Sequence, residues 1–499
     1  MNIPNAGAPA RSHYQGLFID GRWRATDSGA PVINPASEEA FAIAPWGGVG
    51  DAEAAVAAAR RAFDEGPWPR MTPHERADVL SRLRDVLAAW ADDIVGLVVA
   101  EAGIPMSVAR PSQFDAPIQL FDFFIDRCKV FESVRSLPVT TFANRHGSTI
   151  LGAGVVQRSP RGVVTAITPF NAPFFVNLLK VGPALAAGCT VVLKPSDFTP
   201  LGALLLGAAA QEAGLPDGVL NVVTGGTEVG ELLTTDRRVD MITFTGSDVV
   251  GAKVMAQASA TLKHVVLELG GKSAMIVRAD ADLDLVAPRA AQELTLFSGQ
   301  GCGLWTRHVV HRSIYDEYLH RVTTILEHMP LGDPLDPHTV VGPLIRDTAR
   351  VRSEKYVAGA VEQGARVVAG GRRPAGIDRG FYYEPTLLAD VRSDMTVAQE
   401  EVFGPVGAAI AFEDDDDAVR IANDSQFGLS GSIWTAEPGT AFAMAQRLQT
   451  GNVGINGGTG GFSPWAPFGG YKRSGVGREL GADVLDDFTE IKAIQFHAG

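Results

Sequence analysis

The chain is predicted to be an α/β protein, with a doubly wound, Rossmann-like parallel sheet followed by a second α/β domain. Two stretches of sequence carry that expectation. In the first, short β-branched runs (VVTAI, TVVL, VLNVV, MITF, HVVLEL) begin near residue 163 and are separated by helical segments at 175–187, 201–213 and 247–258, with one shorter helix between. Continuously apolar strands joined through helices belong in a parallel sheet covered on both faces, an architecture suited to a dinucleotide. In the second, a new alternation starts at SAMIV near residue 273 and continues through HVVH, RVVAG, VGAAIAF, GSIWT and GNVGIN.

The elements before residue 163 follow from simpler signals. Residues 17–23 read as a hairpin turning at Asp20 and Gly21, since Asp-Gly tolerates the positive backbone angles of a tight turn. Residues 51–64 and 72–91 space apolar positions three and four apart and open on acidic or hydroxyl residues, which predicts two helices. The acidic run 413–417 leads into AVRIAND, so a helix start favoured by its dipole is preferred to a metal site. No internal repeat interrupts the chain.

Composition narrows the function. With 499 residues, 46% of them hydrophobic, and a net charge of -14, the chain has ample core but no electrostatic attraction for nucleic acid or anionic membranes. Its longest apolar runs, such as 201–210, fall short of the ~20 residues of a membrane helix, and the N-terminus lacks the apolar centre of a signal peptide. A cytoplasmic protein is expected. Its three cysteines, Cys128, Cys189 and Cys302, form neither a disulfide framework nor a zinc spacing, so no metal is expected, and Cys189 reads as packing.

The chemistry centres on Cys302, in FSGQGCGLWTR. Gly299, Gly301 and Gly303 leave its sulfur little side-chain cover, as a nucleophile needs, although most free cysteines are small buried hydrophobes. In LELGGKS, Glu268 ends an apolar strand just before Gly270 and Gly271 and is a candidate base; a salt-bridged strand end is the alternative.

These segments, with FIDGRW near residue 18, TPFNAPF at 168–174 and PFGGYKRSGVGRELG at 467–481, resemble the aldehyde dehydrogenase superfamily over nearly the whole chain. The resemblance implies an NAD-binding domain at 1–133 and 155–269, a catalytic domain at 270–481, and oligomerisation segments at 134–154 and 482–499. The last two would pair as a small β flap, in a homodimer or homotetramer. It implies oxidation of an aldehyde to the carboxylate through a thiohemiacetal and a thioester on Cys302, with Asn171 as oxyanion amide and Lys180 and Glu479 relaying protons to Glu268. Helix-surface charges are the plainer reading of Lys180 and Glu479. A CoA-acylating semialdehyde dehydrogenase is the nearest rival, and a catalytically silent binding or structural protein of this fold the more distant one.

For the cofactor the resemblance assigns Thr168, Pro169, Phe170, Lys194, Ser196, Asp197, Gly230, Phe244, Gly246, Ser247, Leu269, Glu401 and Phe403. FTGSDVVG follows a strand and opens a helix, so Ser247 and nearby amides could hold a pyrophosphate, although Gly246 and Gly251 fit neither the GxGxxG nor the P-loop spacing. Asp197 stands where the family more often has glutamate. A carboxylate there accepts from ribose hydroxyls and repels a 2′-phosphate, favouring NAD, while Lys194 keeps NADP open. Ala172 replaces a frequent aromatic beside the oxyanion asparagine. With Phe170, Phe175, Phe462, Trp465 and Phe468 nearby, a widened apolar channel for a bulky or aromatic aldehyde is expected, against core packing for any single ring.

Overall fold

The five strands expected after residue 162 form the parallel centre of an eight-stranded sheet in the computed structural model, which describes residue 14 and residues 16–143, 145–458 and 463–498. Their order across the sheet is Leu220–Val222, Thr190–Lys194, Val163–Ile167, Met241–Thr245 and His264–Glu268. Numbered along the chain this is 3-2-1-4-5, so the winding reverses between Val163–Ile167 and Met241–Thr245. At such a reversal the connections leave in opposite directions and open a crevice outside the carboxyl ends of the strands. The residues just after Ile167, Thr245 and Glu268 therefore share one edge.

Local chemistry explains the flanking pieces. The hairpin Gly16–Ile19 and Arg22–Ala25 turns through Asp20 and Gly21, whose φ values are 55° and 71°, and extends one sheet edge by pairing Phe18 with Val222. The expected helix at 72–91 is Pro73–Ala89, followed directly by Ala91–Ala102. Its start is a capping box: Thr72 Oγ1 accepts from the Glu75 N–H, and Glu75 Oε2 accepts from the Thr72 N–H at 2.7 Å. Pro173–Ala187 is apolar around its circumference and buried on nearly every face, because it lies between the sheet and the helices Pro73–Ala89 and Ala116–Lys129. The hairpin of Ser28–Asn34 and Glu39–Trp46 was not foreseen in the sequence.

The second sheet has seven strands, in the order Arg366–Ala369, Thr386–Ala389, Val406–Phe412, Arg307–His311, Ala274–Val277, Ser430–Trp434 and Asn452–Ile455. Only Arg366–Ala369 runs antiparallel, at the edge, and Thr386–Ala389 is the strand the sequence pattern missed. The acidic run starts the helix Asp415–Asn423, with Asp414 accepting from the Asp417 N–H at 2.9 Å.

A third, antiparallel sheet joins Thr489–Ala498, Thr149–Pro160, Val134–Ser136 and Thr140–Ala143. Thr149–Pro160 continues past residue 155, so the flap and the parallel sheet share one uninterrupted strand-to-turn passage at 160–163. The flap leaves Phe142, Leu151, Ile491 and Phe496 exposed. Among the described residues no helix is long and apolar enough to cross a membrane, and no cluster of His, Cys, Asp or Glu is placed to hold a metal ion.

Candidate active site

Three expected residues come together at the carboxyl edge of the parallel sheet. Glu268 is the last residue of its strand, paired with Gly475, so a C-terminal segment of the chain folds back over it. Asn171 follows Val163–Ile167 by one short turn and donates from Nδ2 to the Gln300 carbonyl at 2.7 Å. That contact ties the edge of one domain to the loop of the other that carries Cys302, and leaves the amide a second N–H.

The Cys302 loop is irregular for identifiable reasons. Phe297, Ser298 and Gly299 take φ values of 51°, 56° and 74°, three left-handed residues in succession. For Phe and Ser this conformation costs free energy and persists only where surrounding contacts impose it. Here Ser298 Oγ donates to the Gly342 carbonyl at 2.8 Å, and Gln300 bridges Phe297 O and the Ile345 N–H. The flanking glycines play unequal parts. A Cβ on Gly299 would lie 2.2 Å from the Gly404 carbonyl carbon, so that glycine serves backbone packing, whereas a Cβ on Gly303 would meet nothing nearer than 3.9 Å. The room beside Cys302 is therefore at Gly303 and not at Gly299. The other cysteines are packing residues: Cys128 Sγ donates to the Pro73 and Ala186 carbonyls, Cys189 Sγ to the Phe488 carbonyl, and burial raises both pKa values.

Electrostatics leaves the site with a thiol that resists ionisation and a carboxyl that holds its proton more tightly than an ordinary one. Burial, then the carboxylates of Glu268 and Glu401, push the Cys302 thiol up to about 12. Glu268 is 2% exposed, and among the described residues neither of its carboxyl oxygens has a hydrogen-bond partner. Burial and the neighbouring Glu479 hold its pKa well above the ordinary carboxylate range, against the pull of Lys180 and Arg478. The salt-bridged alternative for Glu268 is thus not what the structure has. Lys180 and Glu479 are not surface charges either: Lys180 is 0% exposed, and its Nζ donates to Glu479 Oε1 at 2.7 Å and to Thr243 Oγ1 at 2.9 Å. A buried pair of this kind survives only with such added hydrogen bonds.

The residues expected to hold a dinucleotide lie along the same edge. Ser247 caps Asp248–Ala258, accepting from the Val250 N–H, so the positive end of that helix faces the crevice. Asp248 in its first turn would oppose a phosphate, but Arg473 pairs with it at 2.6 Å. Gly246 and Gly251 admit side chains instead: a Cβ on either would lie 2.5 Å from Phe244 or Leu269. Lys194 ends its strand, pairs with Asp197 at 3.1 Å, and runs its stem past Gly230. Pro195, Ser196 and the exposed Asp197 form the turn beyond it, with Ser196 Oγ accepting from the Phe198 N–H. Glu401 accepts from the Gly271 N–H at 3.0 Å, and its carboxyl is raised by burial to about 7. These groups fit a dinucleotide: a helix end, and a strand-end cation and carboxylate.

The aromatic candidates separate. Phe170, proposed for both cofactor and substrate, meets Phe403 and Phe198 edge-on at 5.8 Å, with Thr168 and Pro169 leading into it, so it belongs to the cofactor side. Phe468 points at Gly303 and flanks Cys302. Ala172 is buried, Phe175 half-buried with its N–H on Gln113 Oε1, and Trp465 exposed. Phe462 lies outside the described residues. Sequence reasoning missed Thr243, Gln300, Phe198 and Phe123. Of these only Phe123 left a signal, its place on the apolar face of the helix Ala116–Lys129.

This geometry has counterparts. The chain matches the aldehyde dehydrogenase family over residues 23–494. It is 36% identical to betaine aldehyde dehydrogenase of Bacillus subtilis, covering 96% of this chain and 97% of that one. Among solved structures it is similar to an aldehyde dehydrogenase of Mycobacterium tuberculosis complexed with NAD+, with 42% identity, 96% and 98% of the two chains covered and a TM-score of 0.90. A cysteine-to-alanine variant of a Pseudomonas syringae aldehyde dehydrogenase, complexed with NAD+ and octanal, is 36% identical, covers 98% of each chain and has a TM-score of 0.91. With a family match across nearly its full length and a relative 36% identical over 96% of it, the chain belongs to the aldehyde dehydrogenase family.

Proposed function

We propose that this protein oxidises an aldehyde to its carboxylate, with Cys302 as nucleophile, Glu268 as base and Asn171 as oxyanion donor. The observation that supports it most is the convergence at one sheet edge of the Asn171 amide, the Glu268 carboxyl, which no described residue hydrogen-bonds, and the room beside Cys302 at Gly303. A thiol held near 12 is protonated at neutral pH, so its proton must be taken as it attacks. Glu268, raised by burial, accepts that proton directly or through water. The sulfur adds to the carbonyl carbon, and the oxygen that becomes negative is held by Asn171 Nδ2 and the Cys302 N–H, a donor being worth about 3–4 kcal/mol in such a transition state. NAD, when bound, accepts the hydride that leaves the thiohemiacetal carbon.

On this reading Lys194, Ser196 and Asp197 would hold the adenosine ribose of NAD, and Ser247 with Gly246 its pyrophosphate. Glu401, Phe403 and the Thr168–Phe170 turn would hold the nicotinamide half, with Gly230, Phe244 and Leu269 shaping the groove. Glu268 first gives up the proton it took from the thiol, then takes one from water, whose oxygen attacks the thioester carbon; the carbon–sulfur bond breaks, the acid departs, and Glu268 returns this second proton to the Cys302 thiolate. The buried Lys180–Glu479 pair beside Glu268 offers that proton a way out. Glu268 also favours water over CoA as the acyl acceptor, since a base for water has no use if CoA is the nucleophile.

We further read the protein as a cytoplasmic homodimer or homotetramer, with 134–154 and 482–499 as its oligomerisation segments, 1–133 and 155–269 as the NAD-binding domain and 270–481 as the catalytic domain. A catalytic thiol needs a reducing compartment, and the exposed apolar flap needs a partner. The test is NADH absorbance with NAD and a panel of aldehydes, with and without CoA. NADH without CoA is the expected result; strict dependence on CoA would replace the hydrolytic reading.

A further inference from the structure

The helix Ala116–Lys129 carries four charged side chains, and three of them are in ion pairs: Asp122 with Arg84, and Asp126 with Lys129 at 3.1 Å. Arg127, the fourth, has no carboxylate partner among the described residues. Its guanidinium carbon lies 5.9 Å from the centre of the Trp465 ring, and its Nε is shielded from solvent with nothing to donate to. Such an orphan donor costs free energy and calls for an acceptor. One turn back on the same face, Phe123 meets the Trp465 ring edge-on at 5.0 Å. Trp465 itself is 61% exposed, a large apolar surface left open beside a half-buried cation.

A short piece of chain joins this cluster to the residues of the chemistry. Three residues beyond Trp465, the Phe468 ring lies 3.9 Å from where a Cβ on Gly303 would be, next to Cys302. A Cβ on Gly469 would fall 2.8 Å from Glu268 Oε1. Three residues of extended chain span at most about 10 Å, so the Trp465 backbone lies within that distance of Phe468, with Arg127 packed beside the Trp465 ring. On its other side Arg127 lines a cavity of about 250 Å³. The remaining charges there are Arg158, already tied to Asp486, and the exposed Arg135, Glu132 and Asp483, which solvent screens.

Resting on the reading of the site as one that oxidises aldehydes, we propose that Arg127 is an anion receptor at the outer end of the substrate channel. The substrates it selects are long-chain or aromatic aldehydes carrying a carboxylate or sulfonate at the end remote from the carbonyl. A guanidinium presents paired N–H groups that match either anion, and the Trp465 and Phe123 rings cover the apolar stem between the anion and the reacting carbon. The anion is remote from bond making, so Arg127 acts on binding and not on the chemical step.

The test compares 8-oxooctanoate with octanal, equal in length and differing in the terminal carboxylate, by NADH formation with NAD. The wild-type protein should favour 8-oxooctanoate in kcat/KM. Arg127→Met, which keeps the stem over Trp465, should cut the ratio of the two kcat/KM values by about tenfold to a hundredfold, chiefly by weakening the binding of the carboxylate-bearing aldehyde and so raising its KM. Arg127→Lys should restore part of it. Equal handling of the two aldehydes by the wild type, or an equal loss on both in Arg127→Met, overturns the assignment while leaving aldehyde oxidation standing. No NADH from either aldehyde would remove the oxidative reading and this assignment together.

Discussion

Glu268 and Cys302 meet at one crevice, but unlike pieces of backbone deliver them. Glu268 ends a parallel strand whose neighbours fix its position on both sides, Met241–Thr245 and Gly475–Val476. Cys302 follows three left-handed residues in a loop held by side-chain hydrogen bonds from Ser298, Gln300 and Asn171. Regular structure thus supplies the base, where only a carboxyl position is needed. The nucleophile requires more: an approachable sulfur, a backbone N–H beside the developing oxyanion, and space on the Gly303 side. A strand cannot present all three at once, and a strained loop can.

The comparison breaks most directly at the sulfur. Cys302→Ala should abolish NADH formation while NAD binding, followed by a fluorescence titration, is retained. Steady-state oxidation by that variant would end the mechanism. Cys128→Ala and Cys189→Ala remove packing atoms and should leave turnover in place, because their sulfurs face backbone carbonyls and not the crevice.

Next in size is the base. Glu268→Gln should slow steady turnover by about 10²–10⁴-fold, and in stopped-flow traces the initial burst of NADH should slow too, since Glu268 takes the Cys302 proton before it activates water; a burst at the wild-type rate would confine Glu268 to the hydrolytic step. The wild-type rate should also rise with pH. A base acts when deprotonated, and this one is raised, so the rising limb lies above the ordinary carboxylate range and should vanish in Glu268→Gln. Turnover like the wild type's, or a pH limb that survives the substitution, would move the base elsewhere.

Asn171→Ala sharpens the comparison from the side where edge and loop touch. It should cost about 10²–10³-fold in kcat with little change in KM. Because Asn171 Nδ2 also holds the Gln300 carbonyl, a stability loss on the order of 1 kcal/mol should accompany it in a denaturation midpoint. A change in KM alone would mean that the amide binds substrate and not the oxyanion.

The smallest effect is expected at Asp197, which is exposed and paired with Lys194. Asp197→Ala should narrow the NAD over NADP ratio of kcat/KM by a modest factor, since solvent screens the charge. A wild-type preference for NADP would reverse the cofactor assignment.

How much of this was legible beforehand differs between edge and loop. The strands after residue 162 could be read because parallel strands buried on both faces are continuous apolar runs, whereas Thr386–Ala389 escaped, being short and set among glycines and prolines. Glu268, Cys302 and Asn171 stood out through their glycine and proline neighbours. Lys180 and Glu479 read equally well as surface charges, because nothing in the sequence around either tells that the helix Pro173–Ala187 meets the bridge of Phe468 and Glu479. Arg127 gave no sign at all: its isolation from carboxylates exists only where Arg84 and Lys129 have taken Asp122 and Asp126.

The sequence by itself determined the alternation of strand and helix, the turn at Asp20 and Gly21, and the chemical types available at residues 171, 268 and 302, because these follow from neighbours a few residues away. Tertiary structure alone decided that no described residue hydrogen-bonds the Glu268 carboxyl, that Lys180 and Glu479 form a buried pair across 299 residues of chain, and that there is room beside Cys302 at Gly303. Burial, and the pKa shifts it causes, depend on which distant surfaces come together, and no local pattern of side chains encodes that.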